Sequence, residues 1–242
     1  MDADYLATGH HVRVEYGAKT KRYILKKGID QEKDQSYFLY TLTQDQLARI
    51  LMPVGSFIKK DIRKMAEELN LPAAHRPESQ EICFVPDNDY PGFLREKIPH
   101  AVKPGPIVDI EGKKIGQHEG MFSFTIGQRK GMGIAAAFPL YVVSIDAQTN
   151  TIVAGPNEML YENELEASRL NFISEPGLRE SLKLKVKIRS THPEAEAHVL
   201  PVKEDVVRVV FKTQQRAITP GQAVVFYDGE TVVGGGIIDS RR

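Results

Sequence analysis

The sequence predicts a mixed fold dominated by strands: a short α/β stretch, then a small β-rich unit, then a C-terminal antiparallel barrel or sandwich of about six strands. Three observations lead there. Helical spacing occurs twice, and both instances precede Pro72. From Leu182 to Arg189, apolar and charged residues alternate strictly, the mark of a strand with one buried face. Near the end, Asp228-Gly229 separates Ala223–Tyr227 from Val232–Ile238, a strong hairpin signal.

Taken in order, Asp4 to His10 reads as a strand running into a Gly turn, without a cap or lead-in. Val12–Tyr16 and Arg22–Leu25 flank Gly17 as a small hairpin. Thr43-Gln44-Asp45-Gln46 is a capping-box pattern, and Leu47, Ile50 and Leu51 continue it at helical spacing until Pro53 and Gly55 end that helix. A second helix carries Ile62, Met65, Ala66 and Leu69 on one face, with Asn70 as its stop and Pro72 forbidding continuation. Residues 73–80 read as polar loop. A short helix surrounds Phe93 and Leu94. Strand-and-turn text follows: Pro106–Ile110, the Glu111-Gly112 turn, Phe122–Ile126, Tyr141–Ile145 and Thr151–Ala154. Beyond Leu165, Leu182–Arg189 and Val206–Phe211 join the terminal hairpin. Boundaries are expected at 1–86, with an inserted helical segment over about 43–71, at 87–158 and at 159–242.

The chain has 242 residues, 41% hydrophobic and 26% charged, enough for a real core and unlike a disordered composition. Lys plus Arg equals Asp plus Glu at 32 each, so any nucleic-acid surface must be a local patch. The single cysteine, Cys83, excludes an intrachain disulfide framework and a Cys-rich zinc site and fits a reducing, cytoplasmic compartment. There is no secretory signal pattern, and the apolar run Ile134–Val143, interrupted by Pro139, is too short for a membrane span.

Several residues carry potential chemistry. Cys83 lies between Ile82 and Phe84; on that ground alone it reads as a small buried hydrophobe. A nearby cation would favour a thiolate, and His75 or Arg76, which precede it, could supply one, although each taken singly reads as a solvated loop residue. Lys33-Asp34-Gln35 reads by itself as a polar loop, although a Lys suits a phosphate, and Asp and Gln suit polar base edges. His10 and His11 are adjacent and so point to opposite sides, a poor metal pair; no metal site is expected. Thr125 to Gly133 joins apolar residues to a glycine-rich basic loop with Arg129 and Lys130, a form suited to phosphate. Lys183, Lys185, Lys187 and Arg189 share one strand face, which reads first as a solvated outer face.

Lys33-Asp34-Gln35-Ser36-Tyr37-Phe38-Leu39-Tyr40, Ser79-Gln80-Glu81-Ile82-Cys83-Phe84 and Thr125-Ile126-Gly127-Gln128-Arg129-Lys130-Gly131, in that order, resemble the signatures of the tRNA-specific 2-thiouridylases. The likeness runs from Asp4 to Ile238. It implies the C-terminal part of an adenine-nucleotide-hydrolase-like PP-loop domain, an α/β remnant, followed by the central β-rich domain and the barrel. It also implies an activity: ATP-dependent adenylation of the wobble uridine at C2, then sulfur transfer from a cysteine persulfide. By the same likeness Cys83 is the persulfide cysteine, Gly9 of Thr8-Gly9-His10 approaches ATP, and His10, Lys33, Asp34, Gln35, Arg189, Ser190 and Gln222 contact tRNA. Many relatives have an aromatic residue where Ser190 stands. The implied partners are tRNAs with glutamate-, glutamine- and lysine-type anticodons and a protein persulfide donor such as a cysteine desulfurase or sulfur relay protein. The family's phosphate-binding loop and first catalytic cysteine have no match here. The expectation is therefore a fragment, a product of a misplaced start at Met1, or half of a split enzyme; the alternative is a tRNA-binding module without catalysis.

Overall fold

The structure is a computed structural model that describes residues 3–75, 85, 89–99 and 102–242. Its strands are β1 (Leu6–Ala7), β2 (Val12–Gly17), β3 (Arg22–Lys27), β4 (Ile50–Leu51), β5 (Gly105–Val108), β6 (Lys114–His118), β7 (Tyr141–Asp146), β8 (Thr151–Gly155), β9 (Tyr161–Phe172), β10 (Leu182–Lys187), β11 (Ala195–Lys203), β12 (Val206–Arg216), β13 (Ala223–Asp228) and β14 (Thr231–Arg241). Its α-helices are α1 (Ser36–Leu39), α2 (Gln44–Leu47), α3 (Lys59–Glu68) and α4 (Tyr90–Lys97). Two compact units result: Met1–Arg76 with Asn163–Thr213 and Thr219–Arg242, and Pro77–Glu162 with Gln214–Ile218.

In the first unit the strand order β13-β10-β11-β12-β9-β14 closes through the β13–β14 pairing into a six-stranded barrel. Closure leaves these strands no free edge. The alternation of Leu182–Arg189 behaves as its pattern requires, with Leu184, Val186 and Ile188 buried and Lys183 and Lys185 exposed. The terminal hairpin forms with Asp228 paired to Thr231 and Gly229 at φ 57°. β13 is buried on both faces: Val224 and Phe226 lie on one side, Val225 and Tyr227 on the other. That second side shares a core with Val12, Leu25, Tyr37, Tyr40, Leu47 and Met52, so the N-terminal segment packs on the barrel wall. The hairpin β2–β3 extends the same sheet through Lys26 opposite Thr231.

Close approach explains one glycine of the Gly234-Gly235-Gly236 run. A Cβ at Gly235 would stand 2.6 Å from the Tyr40 ring and 2.6 Å from the Val224 carbonyl, so only a bare backbone lets α1 lie on β14.

The capping box at Thr43 and Gln46 forms, but α2 ends at Leu47, and Ile50-Leu51 is the strand β4, parallel to β1, where helical spacing predicts more helix. The physical reason is tertiary. Leu6 and Thr8 donate backbone hydrogen bonds to the carbonyls of Arg49 and Leu51, and this pairing overrides a spacing that also suits two consecutive apolar strand residues. α3 forms over the predicted face and stops at Asn70 with φ 52°, yet none of its residues is buried.

The second unit carries a four-stranded sheet in the order β6-β5-β8-β7, with Ile107, Val142, Ile152 and Ala154 at the centre of its core. Phe122–Ile126 is not the expected strand. Met121–Ser123 is a 3₁₀ turn, and Thr125 closes a turn on Gln128, whose side chain binds back to the Thr125 amide. The strand missed by composition is β6, whose Lys-Ile-Gly-Gln-His has one strongly apolar residue and is held by pairing to β5.

Candidate nucleic-acid interface

The residues singled out for RNA gather around α1. Asp34 turns its carboxylate inward: Oδ1 accepts from the amides of Gly28 (3.1 Å) and Ser36 (3.2 Å), and Oδ2 accepts from the Ser36 hydroxyl (2.7 Å). Gln35 is likewise engaged, because its Oε1 accepts from the His11 amide at 2.9 Å while its own amide donates to the His11 carbonyl at 3.3 Å. These bonds fix the turn that holds Lys33 beside them, and the Lys33 amide donates to Asp30 at 3.1 Å. Asp30 in turn accepts the Lys59 amide, capping α3 where Ile58 has no side chain able to do so. That bond first, then those from Glu32 and Lys33, hold the Asp30 carboxyl below the usual range.

From this turn the chain enters α1 and meets the barrel. The Tyr37 hydroxyl donates to the Ala223 carbonyl at 2.8 Å, next to Gln222. Burial pushes the Tyr37 phenol up to about 12, an effect opposed by the positive charge of Arg189. Arg189 donates from Nη2 to the Thr219 hydroxyl at 2.6 Å. Thr219 opens the turn Thr219-Pro220-Gly221-Gln222, closed by the Gln222 amide on the Thr219 carbonyl, with Gly221 at φ 87° as a type II turn requires. Gly9 and His10 adjoin the His11–Gln35 link; Gly9 is exposed and the Thr8 hydroxyl lies 2.8 Å from His10 Nδ1. Ser190 is half-buried beside Arg189. Gly9, His10, Lys33, Asp34, Gln35, Arg189, Ser190 and Gln222 therefore belong to one neighbourhood in one unit. Cys83 and Arg76 lie outside the described residues.

Beneath this neighbourhood sits a buried cation that no sequence pattern announces. Lys27 is 8% exposed; its ammonium pairs with Glu194 at 2.5 Å, donates to the Gly229 carbonyl at 3.1 Å and lies 4.5 Å from the Tyr227 ring centroid. Tyr227 continues the network to the Ser36 hydroxyl at 3.2 Å, and burial pushes its phenol well above the usual value. The network ties β3, β13 and the segment before β11 to the Asp34 turn.

The charged face of β10 divides. At its start Lys183 and Lys212 both reach Glu196, at 3.5 and 3.3 Å, and hold that carboxyl below the usual range, Lys212 first. This end is a solvated ion cluster; Arg189, beyond the other end, is the part joined to the neighbourhood above. In the second unit the Thr125–Gly133 loop exposes Arg129 and Lys130, while Arg216 crosses behind it, donating to the Gly127 carbonyl (3.2 Å) and to Asn157 (3.0 Å). Among the described residues no cluster of His, Cys, Asp and Glu is arranged to hold a metal, and no helix is long and apolar enough to cross a membrane.

Comparison with known proteins bears on what these features serve. The profiles of the tRNA methyl transferase HUP domain, the tRNA methyl transferase PRC-barrel domain and the aminomethyltransferase beta-barrel domain match residues 1–87, 91–156 and 162–238. The tRNA-specific 2-thiouridylase MnmA 2 of Thermoanaerobacter sp. (strain X514) is 54% identical over 241 residues, covering 100% of this chain and 66% of the relative. The tRNA-specific 2-thiouridylase MnmA of Acetivibrio thermocellus is 53% identical over 238 residues, 98% of this chain and 66% of the relative. That of Halothermothrix orenii is 49% identical over the same length and coverage. The chain belongs to the tRNA-specific 2-thiouridylase family. The 2-thiouridylase likeness covers the barrel, the four-stranded sheet and the short parallel pair alike, and the first of these relatives extend beyond it, since the chain spans 66% of their length.

Proposed function

We propose that this chain supplies the tRNA-binding face and the sulfur-carrying cysteine of a wobble-uridine 2-thiolation enzyme. The observation that carries the reading is the convergence around α1: Lys33 and Arg189 as cations, with Gln222 and His10 as polar neighbours, linked through Tyr37–Ala223, Arg189–Thr219 and His11–Gln35. Phosphate contacts fix an RNA's register and polar side chains read unstacked bases, and this set contains both kinds. Asp34 and Gln35 act chiefly by holding Lys33 in place.

Gly9 suits close approach by a nucleotide: it follows β1 at the carboxyl end of a parallel strand, where open α/β sheets hold ligands, and a Cβ built there meets nothing within 4 Å. ATP, when bound, would supply the adenylyl group that makes the uridine C2 oxygen a leaving group. Cys83 would present sulfur as a persulfide, received from a protein persulfide donor such as a cysteine desulfurase or sulfur relay protein, in a reducing cytoplasm. Handing on the outer sulfur requires a second thiol to open the S–S bond, and the sequence holds one cysteine. On this reading the cycle draws on a second thiol besides Cys83.

Titrating fluorescent glutamate, glutamine and lysine tRNAs across a salt series tests the binding. Lys33→Ala and Arg189→Ala should each weaken it and lower the salt slope by about one. Wild-type protein that ignores all three tRNAs at low salt would end this reading.

A further inference from the structure

Residues 129–140, between the Thr125–Gln128 turn and β7, form neither helix nor strand, yet they are fastened at several points. Met132 is buried, and Ile134 and Leu140 pack on the core of Ile107, Val142 and Ile152. At the loop's start the Gln128 side chain accepts from the Thr125 amide at 3.0 Å and donates to the Lys130 carbonyl at 2.9 Å. What lies between the anchors faces outward. Arg129, Lys130 and residues 135–138 are exposed, Phe138 at 57%.

This loop walls a cavity of about 590 Å³, with Arg129 and Phe138 both in its lining and the rest contributed by Gly, Ala, Met, Ile, Pro and Leu. Pockets of roughly 300–1,000 Å³ hold small ligands. An exposed Phe forgoes the stabilisation that burying its ring would contribute. Among the described residues no carboxylate pairs with Arg129 or Lys130. An aromatic face and a cation in one concavity match the two halves of a nucleotide, base and phosphate.

We propose that this cavity takes one unstacked nucleotide of an RNA strand, its base on the Phe138 ring and its phosphate at Arg129, with Lys130 adding to the local positive charge. The proposal rests on the tRNA-binding reading and extends it to the second unit. A strand is favoured over a free nucleotide because the lining offers one cation for phosphate and no side-chain carboxylate or amide to read a base edge. Such a site is tolerant of sequence.

Fluorescence anisotropy with labelled tRNA and with a short single-stranded RNA, at low salt, tests it using Phe138→Ala, Phe138→Trp and Arg129→Ala. Phe138→Ala should weaken the single strand roughly 5- to 100-fold while Phe138→Trp retains binding. Arg129→Ala should weaken both RNAs and lower the salt slope for the single strand by about 0.7. ATP should not compete. If wild-type protein binds tRNA and the Phe138 and Arg129 variants bind equally well, the proposal is wrong while the tRNA reading stands. Displacement of the single strand by ATP in wild type but not in Phe138→Ala would reassign the cavity to a free nucleotide. Failure of the wild type to bind any RNA would overturn both readings together.

Discussion

Asp34 and Lys33 are neighbours with opposite duties, and substitution should separate them. Asp34 satisfies two amides and a hydroxyl, so Asp34→Ala leaves these donors without their acceptor and should cost about 1–3 kcal/mol in urea unfolding. Lys33→Ala should reduce tRNA affinity and cost less in urea unfolding than Asp34→Ala; a Lys33→Ala variant destabilised as much as Asp34→Ala with unchanged tRNA affinity would show that its role is structural. Lys27 is a sharper case. Lys27→Met strands Glu194 in a partly buried site and should cost about 3 kcal/mol, whereas Lys27→Met with Glu194→Gln should cost clearly less. Equal losses in single and double variants would mean that the pair is not coupled. Tyr37 predicts a pH response. The folded protein keeps its phenol neutral up to about 12 while the unfolded chain ionises near 10.0, so this contribution to stability is complete below pH 10 and is lost as pH rises toward 12. Tyr37→Phe should flatten that part of the stability curve. Little of this is legible in the sequence: the motif residues Asp34 and Gln35 are visible, but the engagement of the Asp34 carboxylate and of Gln35 Oε1 depends on Gly28, His11 and Ser36, which the turn brings to them. Lys27 gave no signal because its partners Glu194 and Tyr227 lie far along the chain.

At the level of elements, Gly235 decides whether α1 can lie on the barrel. Gly235→Ala should cost at least the ~1–3 kcal/mol typical of overpacking, and it should also weaken tRNA binding by displacing Tyr40 and the turn before it. Full stability in thermal unfolding would show that Tyr40 yields easily. Strands with strict alternation or a two-residue hairpin could be read from sequence, as β10, β13 and β14 show, because one buried face imposes a period of two. β9 and β11 could not be located. Tyr161–Phe172 mixes charge with apolar residues, Ala195–Lys203 contains Pro201, and barrel closure rather than local pattern holds both. Ile50-Leu51 failed for a related reason: two apolar residues fit either period, and pairing with β1 chose the strand.

For the molecule as a whole, zero net charge requires the proposed RNA-binding surface to be local. The two proposals put it at the α1 neighbourhood of the first unit and at the Arg129–Phe138 cavity of the second. The proposed thiolation draws on a second thiol and on nucleotide contacts beyond these two features. On the proposed function, the part of a 2-thiouridylase relative that this chain does not match, supplied as a separate polypeptide, should give thiolation. The direct measurement is mass spectrometry of transcribed glutamate, glutamine and lysine tRNAs after incubation with ATP and a persulfide donor, with and without that part. Sulfur should enter the wobble uridine only when both polypeptides are present, and Cys83→Ala should abolish it. Undiminished thiolation with Cys83→Ala, or tRNA bound tightly but never thiolated with both parts present, would contradict the account.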